Sequence, residues 1–362
     1  MRIRDLAALV LSAALAACGG NDSPAPPAAS TPQGVPATEI IRGETSFIVE
    51  GKTRYRFWQS PNEIVSVVQA ATGRVYLKDR DYTLDRGQLV ILPGSAIPKA
   101  PAAFIQTVDA ASSFVADSVT KEGGPLRIAN DYPDWQIAVT YTSPIATRYN
   151  MPVAKPLPAY AASIAAGKMP SITIYGDSIA GGAGAGPGMG WSDLLAAKLA
   201  GRASVRNVAV AGWGAGQGLA AVDEKVNDRA QDVVVLAFGM DDASWTDDAA
   251  LFMRQMQGMI EAIRGKAPAT EFVLVSGMRG NPDWQPMRPV MFDQYREVMN
   301  ELAAAQPGVT VVDMTSVWDS LMAQKSFDDL TCNGVNHPND FGHALYAQLM
   351  IALLAPSTPI SP

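Results

Sequence analysis

Histidine and cysteine are almost missing from this sequence of 362 residues, which holds two of each: His337 and His343, Cys18 and Cys332. Two histidines without an HExxH pair or a Cys/His ligand spacing make a poor metal site, so no metal mechanism and no cofactor are expected. Basic residues are also short, 28 Lys and Arg against 35 Asp and Glu, a net charge of -7. That balance argues against nucleic acid, whose phosphates demand a basic face. Internal repeats are absent. If the chemistry needs an imidazole near neutral pH, only two candidates exist, and they stand six residues apart.

What is present begins with an export signal. Arg2 and Arg4 precede an apolar stretch from Leu6 to Ala17, too short to span a bilayer as a stable helix. It ends in Leu15-Ala16-Ala17-Cys18, which resembles the lipobox of bacterial lipoproteins. The resemblance implies cleavage before Cys18 and lipidation of its thiol. Gly19, in place of Asp, implies sorting to the outer membrane, facing the periplasm or the cell surface. A lipidated Cys18 leaves Cys332 without a partner, so no internal disulfide is expected.

Composition then divides the chain. After the signal peptide and lipobox (1–18), residues 19–38 are Pro, Ala, Ser and Gly with few bulky apolar side chains, as in a disordered tether. Residues 39–150 carry short β-like runs, among them SFIVEG, RYRFWQ, IVSVVQA, RVYLKD, LVILPG, FIQTV and QIAVTYT, broken by turn formers. They predict a small β-rich, sandwich-like domain. A Pro/Ala-containing connector follows (151–170), and from 171 to 356 apolar strands alternate with amphipathic helices. Strands at Ser171–Tyr175, Val205–Val210, Asp232–Phe238, Glu271–Ser276 and Val309–Val312 predict a five-stranded parallel sheet. The helices are predicted near Trp191–Ala200, Gln217–Asn227, Asp248–Gly265, Pro289–Ala305 and Phe341–Leu354, completing a three-layer α/β/α sandwich.

The polar residues at the carboxyl ends of these strands form a pattern. The first strand runs into Gly176-Asp177-Ser178, where helix-start amides would favour a developing oxyanion. The second leads to Gly212, the third to Gly239-Met240-Asp241-Asp242, and Asn333-Gly334-Val335-Asn336-His337-Pro338-Asn339-Asp340 precedes the last helix. In this order the four blocks resemble the SGNH, or GDSL-like, hydrolases, over roughly the last 190 residues and excluding the β-rich part. The resemblance implies a flavodoxin-like fold and a serine ester hydrolase. Ser178 would be the nucleophile and His337 the base, with Ser178, Gly212 and the block-three residue forming the oxyanion hole. His343, inside the last helix, reads as structural or surface.

Two positions depart from the family. Its block-three Asn is Asp241 here, and an ionised carboxylate has no proton to donate. Many relatives place an Asp three residues before the His, where this chain has Gly334. Asn333 is the nearest candidate to orient the ring, with a backbone carbonyl or a plain Ser–His dyad as alternatives. The expected substrate is an acylated, acetyl-bearing saccharide or other small ester. Two other readings stay open: a catalytically weakened surface protein that binds polysaccharide, and an O-acyltransferase using the same Ser and His. Trp191, Trp213, Trp245 and Trp284 lie near the same loops, where core packing and sugar stacking are both open.

Overall fold

The computed structural model describes residues 38–113, 115–145 and 149–355. The signal peptide, Cys18 and all of the tether but Thr38 lie outside the described residues. Among those described, no helix is long and apolar enough to cross a membrane.

The N-terminal part is β-rich, as its alternating pattern predicts. Strands β1 (Thr38–Phe47), β3 (Glu63–Gln69), β4 (Val75–Tyr76) and β7 (Gln136–Pro144) form one antiparallel sheet in the order β1-β7-β3-β4. Strands β2 (Arg54–Arg56), β5 (Tyr82–Asp85) and β6 (Gln88–Ile91) form a second, in the order β2-β6-β5. Alternate residues such as Leu89 and Ile91, and Ile137, Val139 and Tyr141, share one apolar cluster with Ile64 and Val67, which stand either side of a register shift in β3. One expected strand is absent. FIQTV is a 3-10 turn at Phe104–Gln106, where Phe104 packs 5.2 Å from Tyr132 and 5.5 Å from Phe47.

The C-terminal part is the expected sandwich. Strands β8 (Ser171–Gly176), β9 (Ser204–Asn207), β10 (Val233–Ala237), β11 (Glu271–Ser276) and β12 (Val309–Asp313) are all parallel, in the order β12-β11-β10-β8-β9. Numbered within the sheet this is 2-1-3-4-5, the doubly wound order whose switch point lies between the first and third strands. The central strands are apolar on both faces because helices cover both. Helix α6 (Ala249–Lys266) shows why: Phe252, Met256, Met259, Ile260 and Ile263 repeat at helical spacing and are buried. Its N-terminus is capped by Asp248, whose carboxylate accepts from the Leu251 N–H.

The remaining helices differ from expectation in particular places. Helices α2 (Trp191–Leu199), α7 (Val290–Ala305) and α9 (Asp340–Leu354) stand where periodicity predicts them. The stretch Gln217–Asn227 is instead two short helices, α3 (Ala215–Ala220) and α4 (Val222–Lys225), broken at Ala221. Inside the expected connector lies α1 (Pro158–Ala165), which starts at a proline suited to a first turn. The distant Glu271 carboxylate accepts from the Ala159 and Tyr160 N–H groups at its start, at 3.0 and 2.8 Å. Helices α5 (Met240–Trp245) and α8 (Met314–Met322) have too few turns for periodicity to reveal.

The β-rich strands are fastened to the segment that carries His337. Lys325 and Glu44 form a fully buried ion pair at 3.0 Å, each side chain 1% exposed. Lys325 also donates to Ser46 Oγ, and Glu44 accepts from the Tyr141 hydroxyl and the Trp58 N–H. The Phe47 N–H donates to Asp329 Oδ1, and Gln136 Nε2 to the carbonyls of Asp328 and Thr331. Asn339, the N-cap of α9, donates to Thr45 Oγ1 and Gln136 Oε1.

Candidate active site

Ser178 stands in the turn that follows β8, at the switch point of the sheet. Asp177 shapes that turn: its Oδ1 accepts from the Ile179 N–H at 2.9 Å. The Ala183 N–H closes back on the Ser178 carbonyl. Ser178 is 6% exposed, and its Oγ lies 2.9 Å from His337 Nε2, bringing together residues 159 positions apart. Gly184 makes this approach feasible. Its φ is +95°, and a Cβ there would stand 3.0 Å from that of His337 and 3.2 Å from that of Cys332. Only a residue without one lets the two loops meet.

His337 is held from behind by its own loop. Its carbonyl accepts from the Cys332 N–H and the Thr331 hydroxyl, at 3.0 and 2.9 Å. Burial, and the neighbouring His343, lower the His337 pKa to about 4, so the ring is neutral at ordinary pH. Asn333 does reach the ring: its Nδ2 lies 3.1 Å from His337 Nδ1. It approaches with the amide, however, and not with the oxygen an orienting acceptor would present. Asp328, Asp329 and Asp340 show no bond to the ring. Asp329 serves Ser326 and Phe47, while Asp340 accepts from the Gly186 N–H.

The other histidine is a fixed part of the core. His343 is 0% exposed, its Nε2 is 3.0 Å from the Ala183 carbonyl, and Nδ1 faces the Trp191 N–H at 3.4 Å. With a carbonyl on one nitrogen and an N–H on the other, the proton sits on Nε2. The imidazole thereby ties α9 to the loop after Ser178 and to the start of α2.

The remaining two blocks meet at one carboxylate. Gly212 lies in an exposed turn at φ +78°, just past the point where the Val210 N–H closes on the Gly176 carbonyl. Three residues on, the Ala215 N–H donates to both oxygens of the buried Asp242, at 3.0 and 3.1 Å. Asp242 thus locks the Gly212 loop to block three, a role that its position beside Asp241 did not reveal. Asp241 itself has a buried Oδ2 without a hydrogen-bond partner. Burial, then the Asp242 charge, raises its pKa to about 6. Asp177 is raised further, to about 8, by burial and then by the Asp241 carboxyl. Three acids therefore crowd the end of the β8–β10 pair, and sharing so little solvent they cannot all ionise cheaply.

The aromatic residues divide. Trp191 and Trp284 are core, 1% and 5% exposed, whereas Trp245 is 59% exposed and packs edge-on to Trp284 at 6.0 Å. A cavity of about 1140 Å³ lies behind the His337 loop, bounded by Gly184, Met189, Cys332, Asp340, Phe341 and residues of the β1 sheet. Neither Ser178 nor His337 lines it. Among the described residues no cluster of His, Cys, Asp and Glu has the makings of a metal site.

Residues 174–345 match the model of the GDSL-like Lipase/Acylhydrolase family. Similar solved structures include a two-domain esterase active on acetylated mannans, 18% identical, at TM-score 0.43 over 56% of this chain and 54% of that one. This chain thus spans about half the length of that esterase. Another is an acetylxylan esterase from Geobacillus stearothermophilus, solved as a catalytic mutant, 19% identical over 51% of this chain and 94% of that one, TM-score 0.44. A third is a member of the lipolytic G-D-S-L family from Veillonella parvula, 18% identical over 51% and 97%, TM-score 0.44. A comparison with curated proteins finds no match. Residues 174–345, just under half of this chain, are thus similar to the GDSL-like lipase/acylhydrolase family, and the four blocks they hold stand at the edge of one doubly wound sheet.

Proposed function

We propose that the protein is a serine ester hydrolase acting on acetyl or other short acyl esters, with acylated saccharides as the substrate class. The observation that carries the reading is the 2.9 Å contact between Ser178 Oγ and His337 Nε2 in a buried, water-poor setting. Ser178 Oγ attacks the acyl carbon while its proton passes to Nε2. The imidazolium then protonates the leaving alkoxide, and water attacks the acyl-serine by the reverse sequence. The oxyanion is held by the Ser178 and Gly212 N–H groups and by a neutral Asp241. A buried Oδ2 with no protein partner supports that last role, since its proton is then free for a ligand. The saccharide preference draws on the printed descriptions of the mannan and xylan esterases and on the exposed Trp245, a flat apolar face for a sugar ring.

The test is turnover of p-nitrophenyl acetate by soluble protein starting near residue 36, with a fluorophosphonate probe and mapping of the labelled peptide. An adduct on Ser178 with acetate release supports the hydrolase. A labelled Ser178 with transfer to a sugar alcohol in place of hydrolysis would make the protein an acyltransferase. No labelling, with retention of polysaccharide, would make it a binding protein.

A further inference from the structure

The side-chain oxygen of Asn333 is fully engaged by its own loop. Oδ1 accepts from the backbone N–H groups of Val335, Asn336 and His337, each at 3.1 Å. Turning the amide over would set its NH2 against three N–H donors, so the orientation is fixed by the loop itself. The two protons on Nδ2 then go to Asn336 Oδ1 at 2.8 Å and to His337 Nδ1 at 3.1 Å. Asn333 is 6% exposed, leaving little water to supply an alternative partner.

We propose that Asn333 is a positioning residue that holds His337 in its resting tautomer, with the proton on Nε2 and the lone pair on Nδ1. This rests on the reading of Ser178 and His337 as nucleophile and base. A donor facing Nδ1 requires Nδ1 to accept, and a neutral ring then carries its proton on Nε2. In that state Nε2–H donates to Ser178 Oγ. The serine is therefore parked, because a base must offer Nε2 as a lone pair. To react, the ring must place its proton on Nδ1, where it meets the Asn333 N–H at 3.1 Å, donor against donor. Turnover thus proceeds from a minor tautomer, and the observed rate is the rate of that tautomer scaled by its population. An aspartate in the same place would keep the acceptor for the three backbone N–H groups. Its second oxygen would accept from Nδ1–H and stabilise the imidazolium, the role of the third residue in a catalytic triad.

Two histidines in the whole chain make the assignment readable by 15N NMR of the ring nitrogens at neutral pH. Wild-type protein should show two rings protonated at Nε2, His343 serving as internal reference because its Nε2 faces the Ala183 carbonyl. In Asn333→Asp the His337 proton should move to Nδ1, with His343 unchanged. On an acetyl ester kcat should rise tenfold or more while KM stays put, since no substrate contact changes. Asn333→Ala loses the loop anchor and should show no such gain. A wild-type His337 protonated at Nδ1 would overturn the proposal, as would an Asp variant that changes tautomer without gaining kcat. The tautomer is read without substrate, so a protein with no esterase activity but the expected ring spectrum would fail the proposed function alone.

Discussion

Gly334 and Tyr132 compete for one volume: a Cβ on Gly334 would overlap the Tyr132 hydroxyl and come within 2.7 Å of the Arg127 carbonyl. Tyr132 is 0% exposed and belongs to the β-rich part, packed against Phe47 and Phe104. The position three residues before His337, where the family resemblance implies an Asp, is therefore closed by the N-terminal part of the chain. Gly334 also sits at φ +83°, which side chains resist. We expect Gly334→Asp to restore no triad and to destabilise the protein by about 3 kcal/mol, combining overpacking with backbone strain. Denaturant unfolding and ester turnover measure both parts. A stable variant with raised activity would show that the loop yields and the Asp reaches the ring.

The two histidines should separate cleanly. Ser178→Ala and His337→Ala should each lower kcat by about 10⁴-fold or more, and the double variant should be little worse, because nucleophile and base act as a unit. His343→Ala should keep the chemistry but lose about 3 kcal/mol of stability, since it opens a cavity and strands the Ala183 carbonyl. An inactive but stable His343→Ala would reverse the assignment of the base.

The acid cluster gives a pH signature. Asp241, raised to about 6, is protonated below that pH and ionised above it, while His337, lowered to about 4, is a neutral base above 4. Activity should thus rise through about pH 4 and fall through about pH 6, as Asp241 stops donating. Asp241→Asn supplies a permanent donor, so its activity relative to wild type should be higher at pH 8 than at pH 6. An Asn variant no better at any pH would remove Asp241 from the oxyanion hole.

The same carboxyls link stability to pH, with a definite sign. Asp177, Asp241 and Asp242 all have raised folded-state values, at about 8, 6 and 6. Their stabilising contribution is complete below the unfolded value near 3.8 and is lost as pH rises toward 8. Asp177→Asn retains the oxygen that accepts from Ile179, so it should flatten that decline between pH 4 and 8 in thermal melts. An unchanged slope would mean that Asp177 does not hold a proton in the folded state.

The Lys325–Glu44 pair joins the β1 strand to the His337 segment without any exposure. Lys325→Met alone should destabilise by about 4 kcal/mol because it leaves a buried carboxylate uncompensated. Lys325→Met with Glu44→Gln should recover at least half of that. Equal losses in the single and double variants would show that the charges are not coupled.

Export remains a proposal that rests on the N-terminal sequence. Wild-type protein should partition with membranes, and Cys18→Ser should release it or leave an unprocessed precursor, since several acyl chains anchor far more firmly than one. Wild-type protein found wholly in a soluble fraction would refute lipidation.

Strand alternation, the length of the apolar runs and the order of GDS, Gly212, GMDD and NHPND were enough to predict the parallel sheet and to bring Ser178 and His337 to one edge. These are local or periodic signals, written where the residues stand. The scarcity of histidine narrowed the base to two positions before any geometry was known. Which face Asn333 shows to the ring was not legible, because it depends on three backbone N–H groups that converge only when residues 333–337 close into a loop. The start of α1 on Glu271 and the loss of side-chain space at Gly334 to Tyr132 were equally hidden, 111 and about 200 residues away from their partners. Periodicity reports the face a residue turns to the core. Only tertiary packing decides which distant group it meets there, and hence which protonation state His337 and Asp241 are left in.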